Sequence, residues 1–167
     1  MKNTRRGSTL IEFTLTGIPV IFIGIAVCEC ALAMYEYVSM DNAVTIAARY
    51  ASAHGVGCTQ NGNSCKLTMA TIATVIANYT PIMSTSSVTV KFTDNSGSTT
   101  CTLSTCETYT ATYFPSTSSS ANAVGNPITI SLTHTIRNPM PMFWPPSADA
   151  VDTGYPVGAT STQVILF

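Results

Sequence analysis

The chain has 167 residues, of which 9% are charged and 46% are hydrophobic, and its formal net charge is −1. Ordinary soluble domains carry about 25% charged residues, so this composition favours a membrane or exported protein over a cytosolic enzyme. The near-neutral net charge gives no indication that nucleic acid is a partner. The length suffices for one small domain and one segment of another kind.

An apolar run extends from Leu10 to Met34. About 20 helical residues cross the roughly 30 Å hydrocarbon core of a bilayer, so a span that begins near Leu10 ends near Glu29. Three basic residues precede the run: Lys2, Arg5 and Arg6. By the positive-inside rule, the N-terminus lies in the cytoplasm and the chain after about residue 30 lies outside the membrane, in the periplasm.

A secretory signal peptide is the alternative interpretation, because it has the same basic start and apolar middle. Its apolar segment has about 7 to 15 residues and is followed by a small-x-small cleavage site. The run in this chain is longer and continues into more helix, and "CALA" (Cys30 to Ala33) is the best place for such cleavage. We therefore predict a retained membrane helix.

The helix is predicted to continue to about His54, because apolar residues recur at spacings of three and four beyond the span. These residues lie along one helical face, and they are Tyr37, Met40, Val44, Ala47 and Ala51. Gly55 is a suitable residue to end the helix. The outer half of the helix is therefore expected to pack against a domain.

Two features within the span predict contacts with other helices. Gly17, Gly24 and Ala31 recur every seven residues and form a small-residue face, on which membrane helices approach closely. Pro19 lacks the backbone donor that would bond the carbonyl of Leu15, so a kink is allowed there.

The remainder of the chain is predicted to form a small α+β domain. Residues 55–66 are expected to form a loop, and a short amphipathic helix then carries Met69, Ile72, Ile76 and Tyr79 and ends before Pro81. Strand-like alternation follows in "SVTVKF", "YTATYF" and "ITISLTHTI". In the first segment, Val88, Val90 and Phe92 share a face. In the second, Tyr109, Ala111 and Tyr113 do so. In the third, the shared face carries Ile128, Ile130, Leu132, His134 and Ile136.

The last residues, "TQVILF", are predicted to be a final strand that is buried on both faces. The whole pattern predicts an α+β fold in which a small antiparallel sheet packs on the outer half of the long helix.

The six cysteines form two sets. Cys28 and Cys30 lie at the outer end of the span and face different sides of the helix, so they are not expected to bond each other. The other four lie in the part assigned to an oxidising compartment, where disulfides form. Two local pairs, Cys58–Cys65 and Cys101–Cys106, are the simplest of three possible pairings. Zinc is the alternative, but these spacings and the few histidines do not favour a metal site.

The stretch "RRGSTLIEF", residues 5–13, has the form of a prepilin cleavage site, and the similarity continues along the helix. Residues 5–53 resemble the N-terminal segment of TadE-like pseudopilins of the tight-adherence (Tad) pilus system. The matching features are Gly7, Glu12-Phe13, Pro19, Gly24-Ile25, Glu29, Tyr35 and the block "NAVTIAARYA". The four outer cysteines and the loop "NPMPMFWPP" at residues 138–146 depart from the family pattern.

The resemblance implies a non-enzymatic minor pilin with a pilin-like fold and no cofactor. Its expected parts are a leader at residues 1–7, an assembly helix at 8–54 and an outer domain at 55–167. A prepilin peptidase would cut between Gly7 and Ser8, and Glu12 would then pair with the new amine of its own chain or of a neighbouring one. The implied partners are this peptidase, other pilins of the same machine and membrane lipid, and the implied role is pilus assembly and surface adhesion.

Two other functions are compatible with parts of the sequence. An uncleaved, singly anchored periplasmic module would use the outer domain to bind a ligand. An anchored hydrolase has only scattered Ser, His and Asp residues in its favour, and no nucleophile motif accompanies either histidine. His134, on an apolar strand face, is predicted to be a core residue rather than a ligand.

Overall fold

The computed structural model describes residues 8–55, 66–118, 121–136 and 155–166, and these form three helices and four strands. The helices are α1 (Ser8–Ser52), α2 (Met69–Tyr79) and α3 (Leu103–Cys106). The strands are β1 (Val88–Asp94), β2 (Gly97–Thr102), β3 (Pro127–Ile136) and β4 (Tyr155–Val164). The chain divides into two compact units, Met1–Tyr35 and Glu36–Phe167, and α1 contributes residues to both.

The long helix predicted from the sequence is confirmed, with ends within two residues of those expected. It ends at Ser52, three residues before the predicted terminator Gly55. The chain tightens just after the helix, because the amide of His54 donates to the carbonyl of Ala51 at 3.1 Å, while the hydroxyl of Ser52 donates to the carbonyl of Arg49 at 2.9 Å. Side-chain and local backbone bonds therefore satisfy the helix end, and a glycine is not needed there.

The four strands form one antiparallel sheet in the order β2-β1-β3-β4. Val88, Val90 and Phe92 of β1 are fully buried, whereas Lys91 between them is exposed. In β3, the alternate residues Ile128, Ile130 and Leu132 are likewise buried. The predicted alternation of both strands is confirmed, and it leaves the sheet with one apolar and one Thr- and Ser-rich face.

The core of the second unit lies between the apolar face of the sheet, α2 and the outer part of α1. Six α1 residues are completely buried, and four of them are alanines: Met40, Ala43, Val44, Ala47, Ala48 and Ala51. Small side chains let the helix approach its neighbours closely, and Ile72 and Ile76 of α2 fill the adjacent space. The predicted α+β fold is confirmed, although Tyr37, the first residue of the predicted stripe, is 48% exposed.

Two strand predictions are wrong. Tyr109 to Tyr113 form turns after α3, where the amide of Tyr109 bonds the carbonyl of Cys106 at 3.0 Å, and Tyr113 makes a single bridge to Thr68. The segment "TQVILF" is only the end of β4. Because β4 is an edge strand, Val164 is 47% exposed, and burial on both faces does not occur.

Candidate functional site

Of the two residues that the sequence assigned to processing, the structure describes only the second. Ser8 is the first residue of the helix, while Gly7 lies outside the described residues. The predicted cut would therefore release an amine at the N-terminal end of a helix. A helix N-terminus carries unpaired amides and a partial positive charge, to which the freed ammonium of Ser8 would add.

Glu12 lies one turn after Ser8 and is exposed. Its neighbours Ile11, Phe13 and Leu15 are exposed by 68–77%. Among the residues whose structure is described, none forms an ion pair with the Glu12 carboxylate, and its backbone carbonyl accepts the hydroxyl of Thr16 at 3.0 Å. The site is therefore a solitary carboxylate on an apolar helix surface, available to a group outside the described chain.

The small-residue face of α1 is open in the single chain. Gly17 is half-buried, whereas Gly24 and Ala31 are exposed. A Cβ built on Gly24 would have no neighbour within 4 Å, and one built on Gly17 would meet only the edge of the Phe13 ring at 3.9 Å. Packing within the described chain does not require these glycines. Pro19 lies inside the continuous helix, as predicted.

The first unit is apolar on all sides and uncovered. α1 is long and apolar enough to cross a membrane, and none of the most apolar 18-residue window is buried within the structure. Exposed apolar side chains continue past the expected end of the span, at Leu32, Met34 and Tyr35. Exposed apolar surface on this scale is characteristic of contact with lipid or with other helices.

The cysteines behave as two sets. Cys101, near the end of β2, forms a disulfide with Cys106 of α3, with a Cα–Cα distance of 5.6 Å. This confirms one predicted pair, while Cys58 and Cys65 lie outside the described residues. Cys28 and Cys30 are free and exposed. In the described part of the chain, no three His, Cys, Asp or Glu side chains are close enough to hold a metal ion.

His134 lies in a polar cluster that sequence reasoning missed. Its Nε2 is 3.8 Å from Oε2 of Glu36, and its Nδ1 is 3.3 Å from the hydroxyl and 3.4 Å from the carbonyl oxygen of Ser87. The carbonyl can only accept, so a hydrogen bond between it and Nδ1 requires the proton to be on Nδ1. With Nε2 protonated as well, the ring would also donate toward the buried Glu36 oxygen, which has no other hydrogen-bond partner among the described residues.

The arrangement of Ser87, His134 and Glu36 does not have the geometry of a nucleophile site. The Ser87 hydroxyl donates to the carbonyl of Ser84 at 2.8 Å, so its proton is directed away from the ring. Both distances from the imidazole are also longer than the 2.6–3.2 Å expected between a nucleophile, its base and an orienting acid. The cluster instead links α1, at the first residue of the second unit, to β3.

Among the described residues, one N-terminal apolar helix is long enough to cross a membrane, and a small α+β unit with a four-stranded sheet follows it; this arrangement is consistent with a single-pass membrane anchor. The family model described as TadE-like protein matches residues 7–49. The N-terminal segment is therefore similar to TadE-like proteins, as the resemblance of Glu12, Pro19 and the Ala-Ala-Arg-Tyr block predicted. Comparisons with curated proteins and with solved structures give no match.

The disulfide yields a stability prediction. Replacing Cys101 and Cys106 together by alanine should lower the free energy of unfolding by about 2 kcal/mol, because the bond closes a short loop. The measurement is urea unfolding of the full chain in detergent, monitored by far-UV circular dichroism.

The matched control replaces Cys28 and Cys30 by alanine and should leave the unfolding free energy unchanged, since both thiols are free and exposed. Reductant should destabilise the wild type and the control by more than the Cys101/Cys106 variant, in which only the predicted Cys58–Cys65 bond is left to reduce. Equal stability of the wild type and that variant would contradict the structural role of the bond.

Proposed function

We propose that the protein is a minor pilin, or pseudopilin, of a Tad-type pilus that is needed for pilus assembly and surface adhesion. The observation that carries the proposal is the coincidence of the family match at residues 7–49 with an uncovered apolar helix that bears a solitary carboxylate, Glu12. The protein would be made as an inner-membrane precursor, and a prepilin peptidase would cut it between Gly7 and Ser8.

The charge pattern supports an orientation with the N-terminus in the cytoplasm. Lys2, Arg5 and Arg6 precede the apolar run, and cytoplasmic flanks of membrane helices are enriched in such residues. The Cys101–Cys106 disulfide of the second unit fits an oxidising compartment on the opposite side. The domain would be periplasmic before assembly and extracellular in a finished pilus.

Cleavage would supply the group that Glu12 lacks. A carboxylate at the centre of a membrane helix costs about 2.5–3.5 kcal/mol on insertion scales. Glu12 lies near the cytoplasmic end of the predicted span, where the cost is smaller, but an unpaired Glu12 still opposes burial among other helices. The amine released at Ser8 is a cation one helical turn away in the same chain, and the same amine on a neighbouring subunit is equally suited chemically. Pairing would convert an isolated charge into a contact that fixes the register of the assembling helices.

The open face of Gly17, Gly24 and Ala31 would let a second helix approach. Membrane helices gain little from apolar contact alone, so close packing over small residues contributes much of their association. The remaining apolar surface of the first unit would contact lipid before assembly. Lipid and other pilins are therefore the partners that this helix surface requires.

Loss of the Glu12 charge should block assembly but not insertion. Glu12→Ala and Glu12→Gln are expected to be inserted and cleaved, because the basic leader and the apolar run are unchanged. Surface pili should fall at least about tenfold, since removing one member of a buried ion pair costs about 3–5 kcal/mol. The measurements are pilus counts by electron microscopy and adhesion of cells to glass.

The matched control is Glu29→Gln, which removes a carboxylate from the other end of the predicted span and should leave pili in place. Normal piliation and adhesion in both Glu12 variants would overturn the assembly role of this residue.

The two free cysteines allow a test of the packing face. Cys28 follows Gly24 by four residues and precedes Ala31 by three, so it shares their face, whereas Cys30 lies about 200° away around the helix. Cys30 follows Glu12 by 18 residues, which is about five turns, and so lies on the face of Glu12. The two thiols therefore report on two different surfaces.

In membranes treated with copper phenanthroline, the Cys30→Ser chain should form disulfide-linked dimers through Cys28, detected by non-reducing electrophoresis. The Cys28→Ser chain should form at least about fivefold fewer, because a disulfide requires Cα atoms within about 7 Å. More dimer through Cys30 than through Cys28 would place the contact on the Glu12 face and contradict packing through the small residues.

A further inference from the structure

A cavity of about 260 Å³ opens on the second unit, at the end of the sheet where β1 turns into β2. Its residues come from α2, from the β1–β2 hairpin and from the segment 112–116, which are distant in sequence. Nothing in the assembly role of α1 uses this cavity. We propose that it binds one sugar residue of a neutral or amine-bearing carbohydrate, in the free state or as part of a surface polysaccharide.

The apolar side of the cavity is rigid. Phe92 and Phe114 are buried and pack as a tilted aromatic pair with ring centroids 5.1 Å apart. Beside them, the Tyr113 side chain is 38% exposed on an otherwise polar surface. The backbone around Tyr113 is fixed, because the amide of Phe114 donates to Leu67 and the amide of Met69 donates to Thr112, at 2.9 and 2.8 Å.

The polar side is built around a carboxylate that is already oriented. Oδ1 of Asp94 accepts the amides of Ser96 and Gly97 and the hydroxyl of Ser96, and Oδ2 accepts the amide of Ser116 at 2.8 Å. Three of these bonds lie within the hairpin, and the fourth joins it to the segment after Phe114. One acceptor site of Oδ2 remains available, and its position needs no rearrangement when a donor arrives.

Free hydroxyls surround this carboxylate. Thr99 lies opposite Phe92 in the β1–β2 register and therefore shares its face of the sheet. The hydroxyls of Ser98, Thr99 and Thr112, which also line the cavity, make no hydrogen bond to other residues in the described ranges. The lining thus combines an exposed aromatic ring, unpaired hydroxyls and one fixed acceptor.

This combination fits a pyranose ring, which presents C–H groups on its faces and hydroxyls at its edge. An aromatic side chain packs on the C–H faces of the sugar, and protein hydroxyls and a fixed carboxylate form hydrogen bonds with the hydroxyls at its edge. Asp94 is the one charged residue among the described residues that line the cavity, so it disfavours uronates, sialic acids and phosphates. Lys66, whose Nζ is 5.9 Å from the centroid of the Tyr113 ring, lies outside the lining. The volume suits a single ring rather than a longer stretch of polymer.

The test uses the full chain in detergent micelles and saturation-transfer NMR with methyl glycosides of glucose, galactose, mannose, N-acetylglucosamine and glucosamine. We expect saturation to be transferred from the protein to the ring protons of at least one of these glycosides. Transfer should weaken at least about fivefold in Tyr113→Ala, and also decrease in Thr99→Val, which keeps the shape of the side chain and removes its hydroxyl. The matched control is Tyr79→Ala, an equally exposed tyrosine on α2, and it should bind as the wild type does.

Additional ligands in the same experiment identify the source and the chemical class of the ligand. A glucose oligosaccharide with a free end that binds as well as the monosaccharide would indicate recognition of a polymer end, which supports the proposal. No transfer from any of the five glycosides, equal transfer in the wild type and Tyr113→Ala, preference for methyl glucuronide, or preference for tetramethylammonium would each overturn it. Circular dichroism establishes that each variant is folded before binding is measured.

Discussion

The uncovered apolar surface of α1 between Ile11 and Tyr35 is the constraint on which the rest of the molecule depends. Water does not stabilise such a surface, and the second unit has its own core and does not need it. In lipid, Glu12 would be a carboxylate near one end of an apolar span. In the proposed assembly, a helix bundle would cover the apolar surface and an amine would pair with that carboxylate.

The single helix α1 serves two different environments, and its composition changes accordingly. Before Tyr35 its large apolar side chains point outward in all directions, whereas after Met40 its buried residues are mostly alanines on one side. Alanine allows the helix to lie close to α2 and the sheet, so the folded unit is anchored on the helix by packing. The Glu36–His134 contact lies where the second pattern begins.

Sequence periodicity predicted the elements that bury a regular face. The helices α1 and α2 and the strands β1 and β3 all show it, and all were located correctly. The edge strands were not, because β2 is rich in Gly, Ser and Thr and buries only Cys101, and β4 exposes Val164. "YTATYF" alternates as a strand does, yet turn bonds after the disulfide-linked α3 satisfy its amides locally.

The candidate sites also differ in whether a local sequence pattern indicates them. The roles of Gly7, Glu12 and the small-residue face stay predictions, which rest on the spacing of residues within one stretch of sequence. The Glu36–His134 contact joins residues 98 positions apart, and the cavity at Asp94 and Tyr113 assembles three segments. No local sequence pattern predicts the Glu36–His134 contact or the cavity, since both depend on strand register and on how α3 turns the chain.

The central claim is that the chain is a processed pilin precursor rather than a permanently anchored binding module. The most direct measurement is the intact mass and N-terminal sequence of the native protein, from cells with and without the prepilin peptidase. The account predicts a chain that begins at Ser8 when the peptidase is present and retains residues 1–7 when it is absent. A native protein that keeps residues 1–7 in both strains would contradict it and would favour the uncleaved anchor.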